Sequence, residues 1–244
     1  MTFGTTQAVD LFRAEAARRS IPPAEVERWM SGVLRPCAQL GPNIDGPVVG
    51  QWGGSPTLPV DMPHPPFPFV ASIDCAALPP AATDLPLPPD GHLLLFADAE
   101  EAQEDENAGM VVYVPAGTAV AERAGDYQLP VQSLRVRVDL SCPNPGRDTP
   151  EHPRGNDLSN AWWNTATGTE PDQLQVGGYQ QVFNHDFVAY NKQVLGGDDW
   201  VLLAMADGSY DPNSGESDRV NWAIRRGDLA VLKFDGVQIF TDGM

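Results

Sequence analysis

Carboxylates that close apolar runs are the first residues in this 244-residue chain that could do chemistry. Asp74 ends Phe69-Val70-Ala71-Ser72-Ile73, and Asp207 ends Val201-Leu202-Leu203-Ala204-Met205-Ala206. Facing one cleft, two such groups would serve general acid–base work. Each alone is a common strand-end turn residue. Asp207 also opens a stretch with oxygen ligands at the spacing of a calcium loop, in Asp207, Ser209, Asp211 and Asn213. Pro212 stands where that loop needs glycine and Asp218 where it needs glutamate, so a polar turn is the expectation. His64, His92, His152 and His185 include no two at metal-ligand spacing. Cys37, Cys75 and Cys142 form no C-x-x-C pair, which points to reduced structural cysteines. No nucleotide-binding, hydrolase, zincin or kinase signature occurs, so neither a cofactor nor a metal is expected.

Binding residues are the next candidates. Gln180 and Gln181 could read a peptide backbone, and Trp52 lies beside the turn glycines Gly53 and Gly54. Trp162-Trp163 with Asn160 and Asn164 could form an aromatic ledge, although such pairs more often anchor a loop to the core. The run Glu100, Glu101, Glu104, Asp105, Glu106 reads as a solvated hairpin loop. Its Glu101, Glu104 and Asp105 are the candidates for contact with a partner.

Bulk charge narrows that partner. Thirty-three acidic residues against 15 basic give −18, and Lys192 and Lys233 are the only lysines. Such a field repels phosphate backbones and attracts basic proteins, so nucleic acid is excluded and a basic protein favoured. Met1 to Ser20 lacks the apolar stretch of a signal peptide, and no run is long enough for a membrane helix. The expected location is the cytoplasm.

Positioning falls to two helices and a series of strands. Gln7–Arg19 places Val9, Phe12 and Ala16 on one face. A second helix from Pro23 carries Val26, Trp29, Met30, Val33 and Leu34 and is stopped by Pro36. Beyond Gly41, prolines and glycines punctuate short apolar runs. Strands are predicted at 69–73, 92–97, 110–114, 133–140, 200–206, 220–224 and 237–240, with a short helix over 226–232. In 133–140 the alternation of Leu134, Val136, Val138 and Leu140 with Arg135, Arg137 and Asp139 predicts one wet face. The polar, proline- and glycine-rich segment 141–174 reads as an excursion rather than a domain linker.

The two halves repeat an order of features. Trp52-Gly53-Gly54-Ser55-Pro56 precedes a strand ending at Asp74, then Asp90-Gly91 and Leu93-Leu94-Leu95-Phe96. Val176-Gly177-Gly178-Tyr179-Gln180 precedes a strand ending at Asp207, then Gly215 and Val220 to Ile224. An internal duplication into two related sheets, with a cleft between them, is the expectation.

The same residues carry a resemblance. Gly50-Gln51-Trp52-Gly53-Gly54-Ser55-Pro56-Thr57-Leu58-Pro59 resembles the opening motif of the bacterial YwqG-like family, whose biochemical role is not established. Phe69 to Cys75, Leu87 to Phe96, Val176 to Gln181, Trp200 to Asp207 and Arg226 to Val237 follow in that family's order. His64-Pro65 stands where the family carries Trp-Pro, and Gly208 to Asp218 lacks its Trp-Gly-Asp-like element. The resemblance implies one α+β domain of two related, mainly antiparallel sheets, with residues 1–40 a helical extension and 45–240 the core. It brings no catalytic residues. Taken together, these readings favour a non-enzymatic protein-binding module, antitoxin- or immunity-like, masking a basic partner. The alternative is an enzyme or small-ligand binder using the cleft.

Overall fold

The computed structural model describes residues 5–99, 102, 107–125, 128–144, 152–165, 173–181, 186–208 and 218–242. Helices α1 (Thr5–Arg18) and α2 (Pro23–Val33) come first. Phe12, Val26, Trp29 and Val33 are buried in them, with the Phe12 and Trp29 rings 5.3 Å apart. A third helix, α3 (Gly155–Thr165), lies in the segment read as an excursion, where no helix was predicted. Leu158, Ala161 and Trp162 form its buried face at helical spacing, and Trp162 meets Phe12 edge-on at 5.4 Å. Trp162 is therefore a core residue, and Trp163 donates its indole N–H to the Pro143 carbonyl at 3.1 Å. Neither forms an open ledge.

Ten strands make one antiparallel sheet, where two sheets were predicted. In chain order they are β1 (Arg35–Gly41), β2 (Val48–Trp52), β4 (Phe69–Asp74), β5 (His92–Ala97), β6 (Gly109–Val114), β8 (Gln132–Ser141), β9 (Leu174–Gly177), β10 (Trp200–Gly208), β11 (Asp218–Arg225) and β12 (Gln238–Asp242). A separate ribbon pairs β3 (Thr57–Pro59) with β7 (Val120–Glu122). Two further helices complete the chain, α4 (Phe187–Val194) and α5 (Arg226–Ala230). Among the described residues no helix is long and apolar enough to cross a membrane.

The sheet order is β12-β11-β10-β9-β1-β8-β2-β4-β5-β6. Outward from the central β1–β8 pair, β2-β4-β5-β6 leads one way and β9-β10-β11-β12 the other. Each series runs in chain order, and the strand preceding each series lies next to the other one. β1 pairs with β9 (Cys37 opposite Gly177), and β8 pairs with β2 (Gln132 opposite Trp52). The sheet is continuous because this exchange joins the halves at its centre.

The sheet curls until its edges meet, with Gly109 of β6 against the Ile239 side chain of β12. Inside lies a core from both halves, including Leu40, Ile73, Leu95, Leu134, Val176, Leu203, Trp222 and Ile239. Trp222 donates across it to the Phe96 carbonyl at 3.2 Å. The wet face predicted for β8 is wet only at its start: Ser133 and Arg135 are exposed, whereas Asp139 is 3% exposed. The second glycine turn covers that end, with the Tyr179 amide donating to Ser141 Oγ at 2.9 Å.

Candidate functional site

Two strands in corresponding sheet positions, β2 and β9, end in the same local device. Gly53 and Gly54 adopt φ of 63° and 75°, and Gly177 and Gly178 adopt 69° and 74°. These angles suit glycine, which carries no Cβ to clash. Each pair is preceded by a glutamine two residues earlier. Gln51 Nε2 donates to the Gly53 carbonyl at 2.9 Å, and Gln175 Nε2 to the Gly177 carbonyl at 2.8 Å. Gln175 also donates to the Tyr179 carbonyl at 3.0 Å and accepts from Gln39 at 2.8 Å, wholly buried.

Beside each turn lies a pocket, and the two differ in chemistry. That near Gly53-Gly54 has a volume of about 420 Å³ and is lined by Gln51, Ser55, Phe69, His92, Leu94 and Val114 among others. The β3–β7 ribbon contributes Thr57, Val120 and Glu122 to its wall. The pocket near Gly177-Gly178 is larger, about 790 Å³, and is enclosed by α4, the loop before β10 and the first residues of β1 and α5. Its ionisable lining is Arg35, Lys192 and Arg226 with Asp186, Asp198 and Asp199. Three cations meet three carboxylates there, in a chain where acids outnumber bases 33 to 15.

The larger pocket is held by contacts that reach across the molecule. Asp84, in the loop after β4, takes Arg226 at 3.0 Å through its carboxylate and at 2.7 Å through its carbonyl, and lies 4.0 Å from Arg35. The Arg35 guanidinium sits 4.5 Å over the Tyr179 ring. The Tyr179 hydroxyl donates to the Val33 carbonyl at 2.6 Å, and burial raises its pKa. Asp186 caps α4, accepting from the Ala189 amide at 3.0 Å. Asp199 pairs with Arg225 at 3.2 Å, and the Trp200 indole donates to the Gly196 carbonyl. Lys192 is half-buried and has no ion-pair partner within 4.0 Å among the described residues.

Of the predicted site residues, Gln180 alone lines this pocket, and it is buried. Gln181 accepts from Arg219 at 3.3 Å. Trp52 is a core residue, 5% exposed. Asp74 caps a single 3-10 turn, Cys75–Ala77, accepting from the Ala76 amide at 3.0 Å. The sheet does not bring Asp74 and Asp207 together. β4 and β10 lie five strand positions apart, about 24 Å along the sheet. Five antiparallel steps also invert direction, so the two strand ends point to opposite rims. Glu101, Glu104 and Asp105 lie outside the described residues, as does the calcium-like loop from 209 to 217. Among the described residues no cluster of three potential metal ligands occurs.

The cysteines are buried and unpaired, and burial is the chief cause that pushes each thiol up to about 12. Thiolates are the reactive form, so these are inert side chains. Sequence reasoning missed Arg35, Tyr179, Lys192, Trp200 and Arg226. The signal in the sequence was the scarcity of lysine, since one of the two lysines, Lys192, lines the larger pocket.

The model of a family described as a domain of unknown function, DUF1963, matches residues 50–242, and the chain belongs to that family. No curated protein matches the chain in sequence. The matched span begins within β2, so β1 and Arg35 lie before it although β1 is at the centre of the sheet.

Proposed function

We propose that this chain is a non-catalytic, cytoplasmic binding module of YwqG-like type whose partner is a basic protein, an immunity- or antitoxin-like masking role being its concrete form. The observation that carries the reading is the charge of −18, together with how the cations are used. Arg13, Arg18, Arg19, Arg154 and Arg225 each touch a carboxylate within the fold. Their charge is cancelled locally, and the surplus carboxylates set the outward field. Inert thiols and the separation of Asp74 from Asp207 weigh against catalysis by those groups. The repeated Gln-x-Gly-Gly turn and mirrored strand order support descent by internal duplication.

The test is capture of partners from a lysate of the source organism at low and high salt, followed by binding kinetics. Screening shortens electrostatic attraction beyond about 8 Å at physiological ionic strength, so salt should slow association more than it speeds dissociation. Neutralising Glu101, Glu104 and Asp105 together should lower the on-rate several-fold and leave the melting temperature unchanged. Acidic or neutral partners alone, or a salt-insensitive on-rate, would defeat the reading.

A further inference from the structure

The geometry points to a second binding activity, independent of any protein partner: the 790 Å³ pocket beside Gly177-Gly178 takes a small zwitterion of the α-amino-acid class. Charge accounting within the pocket leads there. Asp84 is one carboxylate serving two guanidiniums, those of Arg35 and Arg226, which leaves one positive charge over. Lys192 adds a second, with no ion-pair partner among the described residues. Asp199 is matched by Arg225. Asp186, which uses one oxygen on the helix cap, and the exposed Asp198 leave two negative charges. The residue is two positive and two negative, arranged around one cavity.

A simple anion would meet the two free cations but would first approach a body of charge −18. A simple cation would be drawn in and then meet Lys192. A zwitterion carries no net charge and avoids both costs. Its carboxylate can face Lys192 and the guanidiniums, while its ammonium faces Asp186 or Asp198. Trp200, Val201, Leu202 and Val188 supply an apolar wall for a side chain. The volume lies within the range typical of small-molecule pockets. The guanidiniums are already held, Arg226 by Asp84 and Arg35 over the Tyr179 ring, so binding need not order that part of the site.

Thermal shift and calorimetric titration against L-α-amino acids, each with its N-acetyl and its amide form, test this directly. The expected result is that at least one free amino acid raises the melting temperature and gives a saturable isotherm. Its N-acetyl form, which keeps only the carboxylate, and its amide, which keeps only the ammonium, should bind at least tenfold more weakly. Lys192→Met and Asp198→Asn should each weaken the free amino acid about tenfold, whereas Lys233→Met should not. Both residues are partly or fully exposed, and circular dichroism checks that each variant is folded. Equal binding of the N-acetyl forms or of inorganic phosphate would overturn the zwitterion in favour of an anion site. No binding across the panel would overturn the proposal, and neither outcome bears on the basic-protein reading.

Discussion

The two halves of this sheet share a strand order and a turn, and differ in what covers them. Over β4, β5 and β6 lies the β3–β7 ribbon, whose Leu58 packs with Phe69, Leu94, Phe96, Val112 and Val114 in a buried cluster. Over β10, β11 and β12 lies α4, and the apolar cluster there is reduced to Trp200, Ala223 and Phe240 with Val188. Where large side chains fill the outer face, the pocket is small and carries one acid and one histidine; where they do not, it is large and charged. The strand order and the glycine turn recur in the two halves, while the elements that cover them differ. A site is therefore to be sought in the covering elements, in keeping with the general separation of fold from function.

The sharpest way to break the comparison is at the first glycine of each turn. A Cβ on Gly53 would lie 2.6 Å from the carbonyl oxygens of Leu129 and Pro130, which are backbone and cannot swing away. Gly53→Ala should cost about 3 kcal/mol or more, from left-handed strain plus the collision. At Gly177 the Cβ would meet Thr83 at 3.0 Å, a side chain, so Gly177→Ala should cost about 1–3 kcal/mol. Urea denaturation of both variants checks this, and equal costs would show the turns to be held alike.

The glutamines should separate the halves next. Gln175→Ala withdraws the donor from two carbonyls and the partner from buried Gln39, with an expected loss of about 2–3 kcal/mol. Gln51 is only partly buried and serves one carbonyl, so Gln51→Ala should cost about 1 kcal/mol. A reversed order of midpoints would contradict the assignment of the more extensively hydrogen-bonded glutamine to the second half.

Alkaline titration should instead show the halves behaving alike. Cys37 on β1 and Cys75 after β4 both hold their thiols up at about 12 in the fold, against 9.0 as the ordinary value. Between those values the folded state keeps a proton that the unfolded state has lost. Stability therefore falls as pH rises through the window from 9 to 12 and is unaffected below it. The slope approaches about 1.4 kcal/mol per pH unit for each thiol. Cys37→Ala and Cys75→Ala should each flatten the curve to a similar degree, and thiol labelling of the native protein at pH 8 should be negligible. Last and smallest, Tyr179→Phe removes the bond to the Val33 carbonyl and should cost about 0.5–1.5 kcal/mol, with no counterpart in the first turn.

Strands made of β-branched and leucine-rich runs, such as 92–97 and 200–206, were legible because burial on both sides leaves an apolar signature. β1 was not. Its second residue is Pro36, which reads as a helix stop, and its interior carries Gln39, a polar residue whose partner Gln175 lies far along the chain. Pro36 is tolerated because β9 pairs only from Cys37 onward, so on that side the missing N–H faces no strand. α3 was hidden by the polar, proline-rich stretch around it, although Leu158, Ala161 and Trp162 have helical spacing. β9 spans four residues, too few to show a period. At the site, Gln180 was visible through its nearness to a glycine pair. Arg35, Lys192 and Arg226 come from three separate elements, and only the folded sheet brings them to one cavity.

The exchange of β1 and β8 has a consequence for how the chain is made. Arg35 pairs with Ser141, and Cys37 with Gly177, so β1 leaves the ribosome long before either neighbour exists. A nascent first half has β2, β4, β5 and β6 but lacks β8, which seals the inner edge of β2. That edge stays open to any other strand until just over half of the chain has been synthesised. Pairings of such long sequence separation also place the protein among slow folders. Two chains produced side by side could complete each other, β1 of one closing β9 of the next. An intertwined dimer of this kind would be built from the same strand pairings as the single chain.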